Sequence, residues 1–259
     1  MRSIVLALLG VLGLSLSACE EPLYMGDPTF QIVVEIDEEA LGDTVLDDAA
    51  RARALEESAA IVSQRLEGTG VWLHAWRPTR GDGLAFDLSG PVDAPEIFFS
   101  AIGTRGELDF RMVDDQALPT NTMAGIANPG SMIVPYAQGA QYQGEFEAVK
   151  RIGGIDGRHI LDARAGIDPM TNEPVINIAL DDEGGVKLAR LSTANVGQRM
   201  AIVLDGEVLT APFFNEPILG GQLQISGDFT AKSANELALI LGSGALPVPL
   251  VVTEQRSLP

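Results

Sequence analysis

Two strand-like runs, Met200 to Leu204 and Glu207 to Thr210, flank the dipeptide Asp205-Gly206. This feature constrains the chain more than any other, because Gly accepts the positive φ of a tight primed turn and the pair must close as a β-hairpin. Ala211-Pro212 ends the second strand, and an apolar loop follows with Phe213, Phe214, Pro217, Ile218 and Leu219. Gly220-Gly221 turns into a third short strand, in which Leu223 and Ile225 alternate with Gln222, Gln224 and Ser226. Thr230 is placed to N-cap a helix from Ala231 to Leu241, and Gly242-Ser243-Gly244 ends it. Pro247 and Pro249 forbid its continuation.

The chain begins with residues 1–18, a signal segment with one n-region charge, Arg2, and a short apolar stretch from Ile4 to Leu14. Leu16-Ser17-Ala18-Cys19 has the form of a bacterial lipoprotein cleavage box, with small residues before a thiol that can take a lipid thioether. Cys19 is the only Cys, so it is the expected lipidation site, and no disulfide can form within one molecule. The expected localisation is the periplasmic side of the cell envelope of a Gram-negative-type bacterium, lipid-anchored to a membrane. Residues 19–29 read as a polar tether.

Phe30 to Ile36 alternates as a strand, and Glu38-Glu39 reads as a solvated turn. Asp47 to Leu66 is a helix with Leu55, Ala59, Val62 and Leu66 on one face, stopped by Gly68 and Gly70. Strands at Val71 to Arg77 and Gly83 to Leu88, a helix at Ala94 to Ile102 and a strand at Glu107 to Val113 follow. The expected fold is α+β: a ferredoxin-like, split-βαβ base over 30–113, with a smaller α+β head subdomain over 150–246. Between them 114–149 is poor in pattern and reads as a long connector with a short strand at Met132 to Pro135. In the head, Val175 to Leu180 is a strand and Asp181 or Asp182 caps a helix from Glu183 to Asn195. Over 247–259, Leu250 to Glu254 reads as a last strand able to return to the base sheet.

A formal charge of −19, from 36 acidic and 17 basic residues, gives no electrostatic basis for binding nucleic acid, whose affinity rests on neutralising phosphates. Catalytic chemistry finds no convergent set. His74 lies in an alternating strand beside Trp72 and Trp76, and His159 lies in a connector. Asp162, Asp168, Asn172 and Glu173 lack the spacing of an EF-hand loop and read as a polar connector. Gly153-Gly154-Ile155-Asp156-Gly157 lacks the strand and spacing of a phosphate loop, and Ser243 reads as a helix stop. No enzyme activity, metal, cofactor or small-molecule substrate is expected. The loop bearing Phe213, Phe214, Pro217, Ile218 and Leu219 has two readings: core under the head sheet, or the lining of a groove for an extended apolar segment of another protein. Two adjacent aromatics between prolines cannot all be buried on one face, so these five are the candidate partner-binding residues.

The runs AIVLDGEVLTAP, GGQLQISGDFT and ANELALILGSGALPVPL, in that order, resemble the periplasmic part of SecD, a subunit of the bacterial SecDF protein-export machinery. IVSQRLEGTGV, GPVDAP and RGELDFRMVDD resemble the base of the same region, so the likeness covers roughly Ala50 to Pro259 and is strongest after Val175. The resemblance implies a non-enzymatic accessory in protein export. Its partners would be unfolded or translocating polypeptide, Sec translocon subunits, or both. The alternative is a structural or regulatory envelope lipoprotein that keeps the fold without an export role. Three features depart from the family. A full SecD has a membrane helix before this region and a bundle of them after it. Its glycine-rich motif is not evident near Phe30 to Ile36, and the acidic residues expected after Thr230 are replaced by Ala231, Lys232 and Ser233. After Cys19 the best uncharged run, Leu237 to Thr253, is broken by Gly242-Ser243-Gly244 and two prolines, so it cannot cross lipid as one helix. Proton coupling by this chain alone is therefore not expected.

Overall fold

A computed structural model describes residues 27–259 apart from 80, 82, 139 and 141. Strand β1 (Phe30–Ile36) buries Phe30, Ile32, Val34 and Ile36 at the two-residue period of a half-buried strand. Asp37 then caps one exposed helical turn, α1 (Glu38–Leu41), where a plain turn was expected. Helix α2 (Asp48–Leu66) is capped by Asp47 and buries Leu55, Ala59, Val62 and Leu66, the expected stripe. Strands β2 (Trp72–Pro78) and β3 (Gly83–Ser89) and helix α3 (Ala94–Gly103) follow.

At this point the chain leaves the base. Strand β4 (Leu108–Met112) was expected to be the fourth base strand; it pairs instead with a head strand, from Leu108 opposite Leu204 to Met112 opposite Met200. The cause is local. Gly106 takes φ +81, and the Asp205 carboxylate accepts from the N–H groups of Gly106 (3.2 Å) and Glu107 (2.8 Å), turning the chain toward the hairpin. The segment expected to be a connector is also built. It contains α4 (Pro119–Met123) and an antiparallel pair, β5 (Ser131–Pro135) and β6 (Phe146–Lys150). Val134, Tyr136, Ala148 and Val149 are buried on this pair, and Val134, Tyr136 and Val149 cluster with Val113, Ala201, Val203 and Val208 on the back of the head sheet.

Beyond it lie β7 (Ile155–Asp156), β8 (Ile160–Ile167), β9 (Pro174–Leu180), α5 (Asp182–Ala194), β10 (Met200–Leu204), β11 (Glu207–Thr210), β12 (Gln222–Ser226), α6 (Ala231–Ser243) and finally β13 (Leu250–Ser257). The β10–β11 turn has φ +49 at Asp205 and +83 at Gly206, the double positive φ of a primed turn. Thr230 and Ser233 close a reciprocal capping box on α6, and Gly244 at φ +86 ends it two residues past the expected Leu241. Strand β8 replaces the expected polar connector around Asp162. Its partner is β9, and Asp168 closes the turn between them by accepting from Met170 and Thr171 N–H.

The base sheet has the antiparallel order β13-β1-β3-β2, the split-βαβ order with β13 as its fourth strand. The head is thus inserted between α3 and β13. It carries one sheet ordered β11-β10-β4-β7 and another ordered β12-β9-β8, with α6 on the second. Separate apolar clusters fill base and head. Ile32, Phe86 and Phe98 lie in the first, and Phe110, Ile176, Ile202 and Leu237 in the second.

Candidate functional site

The β10–β11 ladder does not stop at Thr210. Met200 N–H donates to Pro212 O (2.9 Å), Phe214 N–H to Gln198 O (2.9 Å) and Gly197 N–H to Phe214 O (2.8 Å). The strand alternation therefore continues through the loop. Phe213 points out and is 60% exposed, whereas Phe214 points in and is 3% exposed. Ile218 N–H then donates to Ser192 Oγ (2.9 Å), and its side chain packs on the head core. Pro217 is exposed and Leu219 is 74% exposed. The five residues taken together from the sequence are thus divided: Phe214 and Ile218 belong to the core, and Phe213, Pro217 and Leu219 face solvent.

Beside the end of β11 lies a cleft of about 750 Å³. One wall is Leu209 and Thr210, another is Ala137, Gln138 and Ala140, and the third is Ser226 to Phe229 with Ser233 of α6. Strands β11 and β12 each end the order of their sheets, but the outer side of β11 is taken at Val208, which bridges Tyr136 and whose carbonyl accepts from Ala137 N–H (3.0 Å), so the strand edge brought to this region is that of β12. Glu173 and Asp228 line the cleft, with no Lys or Arg among the described lining residues. Sequence reasoning missed it because its walls come from three distant segments. Only Gly227-Asp228-Phe229, between a strand and a helix cap, signalled a turn presenting an aromatic ring.

The titratable clusters lie elsewhere and are internally satisfied. His159 is 5% exposed, its Nδ1 3.1 Å from both Asp181 carboxylate oxygens and its Nε2 2.9 Å from Lys187 Nζ. A Cβ on Gly184 would sit 2.7 Å from His159 Cβ, so the ring is packed into the start of α5. The Gly184 N–H and then His159 hold the Asp181 carboxyl below its usual range. His74 Nε2 lies 2.7 Å from Ser89 Oγ on the base sheet. Tyr136 Oη donates to Glu147 Oε2 (2.9 Å), which Arg199 also holds (2.6 Å); burial, then that bond, push the phenol up. Buried Asp114 accepts from Lys150 (2.7 Å), Ser131 (2.7 Å) and Asn128 (3.1 Å). Among the described residues no three His, Cys, Asp or Glu side chains are placed to hold a metal ion, and no helix is long and apolar enough to cross a membrane. Cys19 lies outside the described residues.

Residues 132–248 match the family described as SecDF, P1 head subdomain. Protein translocase subunit SecD of Acetobacter pasteurianus is 38% identical over 214 residues, covering 82% of this chain and 40% of the relative. That of Rickettsia bellii is 33% identical over 206 residues, covering 80% and 39%. The chain therefore spans about 40% of the length of these relatives. Two solved structures are similar. The first is SecDF in a super-membrane-facing form, with a TM-score of 0.67 at 28% identity, covering 93% of this chain and 32% of that one. The second is described as a membrane component SecDF that enhances protein export; its TM-score is 0.64 at 27% identity, covering 88% of this chain and all of that one.

Proposed function

The chain belongs to the SecD family, matching its SecDF P1 region, and from that premise we propose that it serves protein export by holding extended polypeptide at its head. The observation that carries this reading is the head cleft beside the end of the edge strand β12, with the solvent-facing Phe213 and Leu219 on the loop that joins β11 to β12. An edge strand offers backbone N–H and C=O groups to any extended chain, so recognition there does not depend on a folded partner. Apolar side chains of that chain can then rest on Leu209 and Phe229. In this reading the partners are unfolded or translocating polypeptide, the Sec translocon, or both, and no bond is made or broken by the protein. Lipidated Cys19 fixes the body to a membrane on the periplasmic side, and the energy for export comes from partners rather than from proton coupling in this chain.

The test is photo-crosslinking in cells, from a crosslinking amino acid placed in turn at Phe213, Leu219 and Leu209. Adducts with exported polypeptides or translocon subunits are expected. Adducts confined to envelope-assembly proteins would favour a structural lipoprotein, and a lack of adducts at all three positions would remove the cleft from the export reading.

A further inference from the structure

The free edge of β12 offers a fixed set of backbone groups. Leu180 N–H donates to Gly221 O (2.8 Å) and Gln222 stands opposite Ala179, so Leu223 and Ile225 turn their N–H and C=O groups toward β9. Those of Gln222, Gln224 and Ser226 turn outward, and this edge opens on the head cleft at Ser226. There the lining has a definite charge. The last pair of the β9–β12 ladder is Val175–Ser226, and the two carboxylates of the cleft, Glu173 and Asp228, each lie two residues beyond it. Strand register therefore brings both to one end of the cleft. Beside them stands an aromatic ring. Phe229 N–H donates to Gly227 O (2.7 Å), and a Cβ on Gly227 would lie 3.3 Å from Phe229 Cε2, so the ring is folded back against the backbone next to Asp228.

Both carboxylates are exposed, and neither has an ion pair or side-chain hydrogen bond among the described residues. Cations on the flanking elements are committed elsewhere, Arg164 to Asp162 (2.8 Å) and Lys232 to Glu236 (3.7 Å). The nearby Asp168, by contrast, is held by Gln224 and by the N–H groups of Met170 and Thr171. Like charges brought together at the end of a ladder repel and cost stability, a cost that a bound cation removes. An aromatic face beside them attracts a cation further. We propose that the head cleft selects basic stretches of extended polypeptide: the guest backbone pairs with β12, and one of its Lys or Arg side chains reaches Glu173 and Asp228 across Phe229. A guest residue opposite Ser226 lies about 7 Å along the strand from Asp228, which a Lys or Arg stem can span. The methylenes of that stem rest on the ring while the charge stays in water between the carboxylates. A neutral side chain at the same place leaves the repulsion, and an acidic one adds to it. This assignment rests on the reading that the head holds extended chains, and it adds which chains are held.

The experiment uses the full chain carrying Cys19→Ser and three short fluorescent peptides of alternating Leu and Ser, which differ only in a central Lys, Gln or Glu. Binding is read by anisotropy. The Lys peptide should bind about fivefold more tightly than the Gln peptide, as two solvated ion pairs allow, and the Glu peptide more weakly than either. Rising salt should erase these differences. Glu173→Gln with Asp228→Asn should make the Lys and Gln peptides bind alike. Glu56→Gln with Glu57→Gln removes the same charge from exposed positions of α2 and should keep the preference. Equal affinities of the three peptides for the parent chain overturn the proposal and leave the head able to hold extended polypeptide. A preference lost equally in the α2 variant overturns it too, because its source would then be the overall charge of −19. Failure of all three peptides to bind overturns the reading beneath it as well.

Discussion

Replacing the two neighbouring aromatics one at a time separates the core side of the apolar loop from its solvent side. Phe214 is 3% exposed, so nearly all of a phenylalanine's roughly 200 Å² is withdrawn from water, worth about 5 kcal/mol at 25 cal/mol per Å², of which the Cβ that alanine keeps retains about 1 kcal/mol. Phe214 N–H and C=O are both bonded to the 197–198 turn, so the site cannot collapse when the ring is removed. Phe214→Ala should therefore cost about 4 kcal/mol, within the range for emptying a core aromatic site. For a body of this size that lowers the melting temperature by about 10 °C. Phe213 is 60% exposed and Phe213→Ser should cost no more than about 1 kcal/mol. The assays are thermal unfolding by circular dichroism and crosslinking yield from Leu219. Phe214→Ala should fail in the first, and Phe213→Ser should lower only the second. If Phe214→Ala melted with the parent protein while Phe213→Ser collapsed it, the alternation carried through Pro212 would be wrong.

Three further outcomes are expected. Lys150, then Ser131, hold the Asp114 carboxyl down to about 2 from its ordinary 3.8; a depressed acid stabilises the fold above its unfolded value, so this contribution is complete above about pH 4 and lost as pH falls through 2. Acid melting of Asp114→Asn should lack that limb, and an unchanged acid profile would remove Asp114 as its source. Thr230→Ala breaks the capping box on α6 and should cost about 1 kcal/mol in urea unfolding; a neutral result would make the box dispensable. Cys19→Ala should leave an unprocessed or mislocalised precursor, and a chain starting at Glu20 should fractionate without membranes; membrane association of that chain would place the anchor elsewhere.

What the sequence made legible was local. Asp205-Gly206 and Thr230 act on residues within a few positions of themselves and form the expected turn and cap; of the two candidate caps Asp181 is the one used, and Asp47, read as the first helical residue, is the cap itself. Leu55, Ala59, Val62 and Leu66 mark a buried face because that face is set by the period of one helix. Strand β8 was missed because Ala163 is its one buried side chain, while Asp162 and Arg164 lie opposite Ala179 and Asn177 on the other face. The split of the Phe213 to Leu219 loop was hidden for a related reason. Only the backbone bonds to Gln198 and Gly197 show that a strand period continues past Pro212. The cleft needed the whole topology, since Ala137-Gln138, 209–210 and 226–229 meet only after three sheets have formed.

Strand partners are the harder case, and they yield a decisive test of the topology. Leu108, Phe110 and Met112 alternate as well as any base strand, yet alternation names a buried face and never says in which sheet it is buried. The fourth strand of the base comes 138 residues later in sequence, at Leu250, after the whole head. Strand β13 faces β1 along seven residue pairs from Phe30–Ser257 to Ile36–Leu250. A fragment covering 30–113 therefore leaves one edge of β1 unpaired and keeps β4 without its head partner, and it should not fold. Joining Arg105 to Leu246 through a short Gly-containing turn should give a base that folds alone, because Arg105 O and Leu246 N already lie 2.8 Å apart and Leu246 stays in the base core. Dispersed amide signals and a cooperative melt are expected from the spliced chain and not from the contiguous fragment. The reverse outcome would return β4 to the base sheet and leave β13 as an appendage.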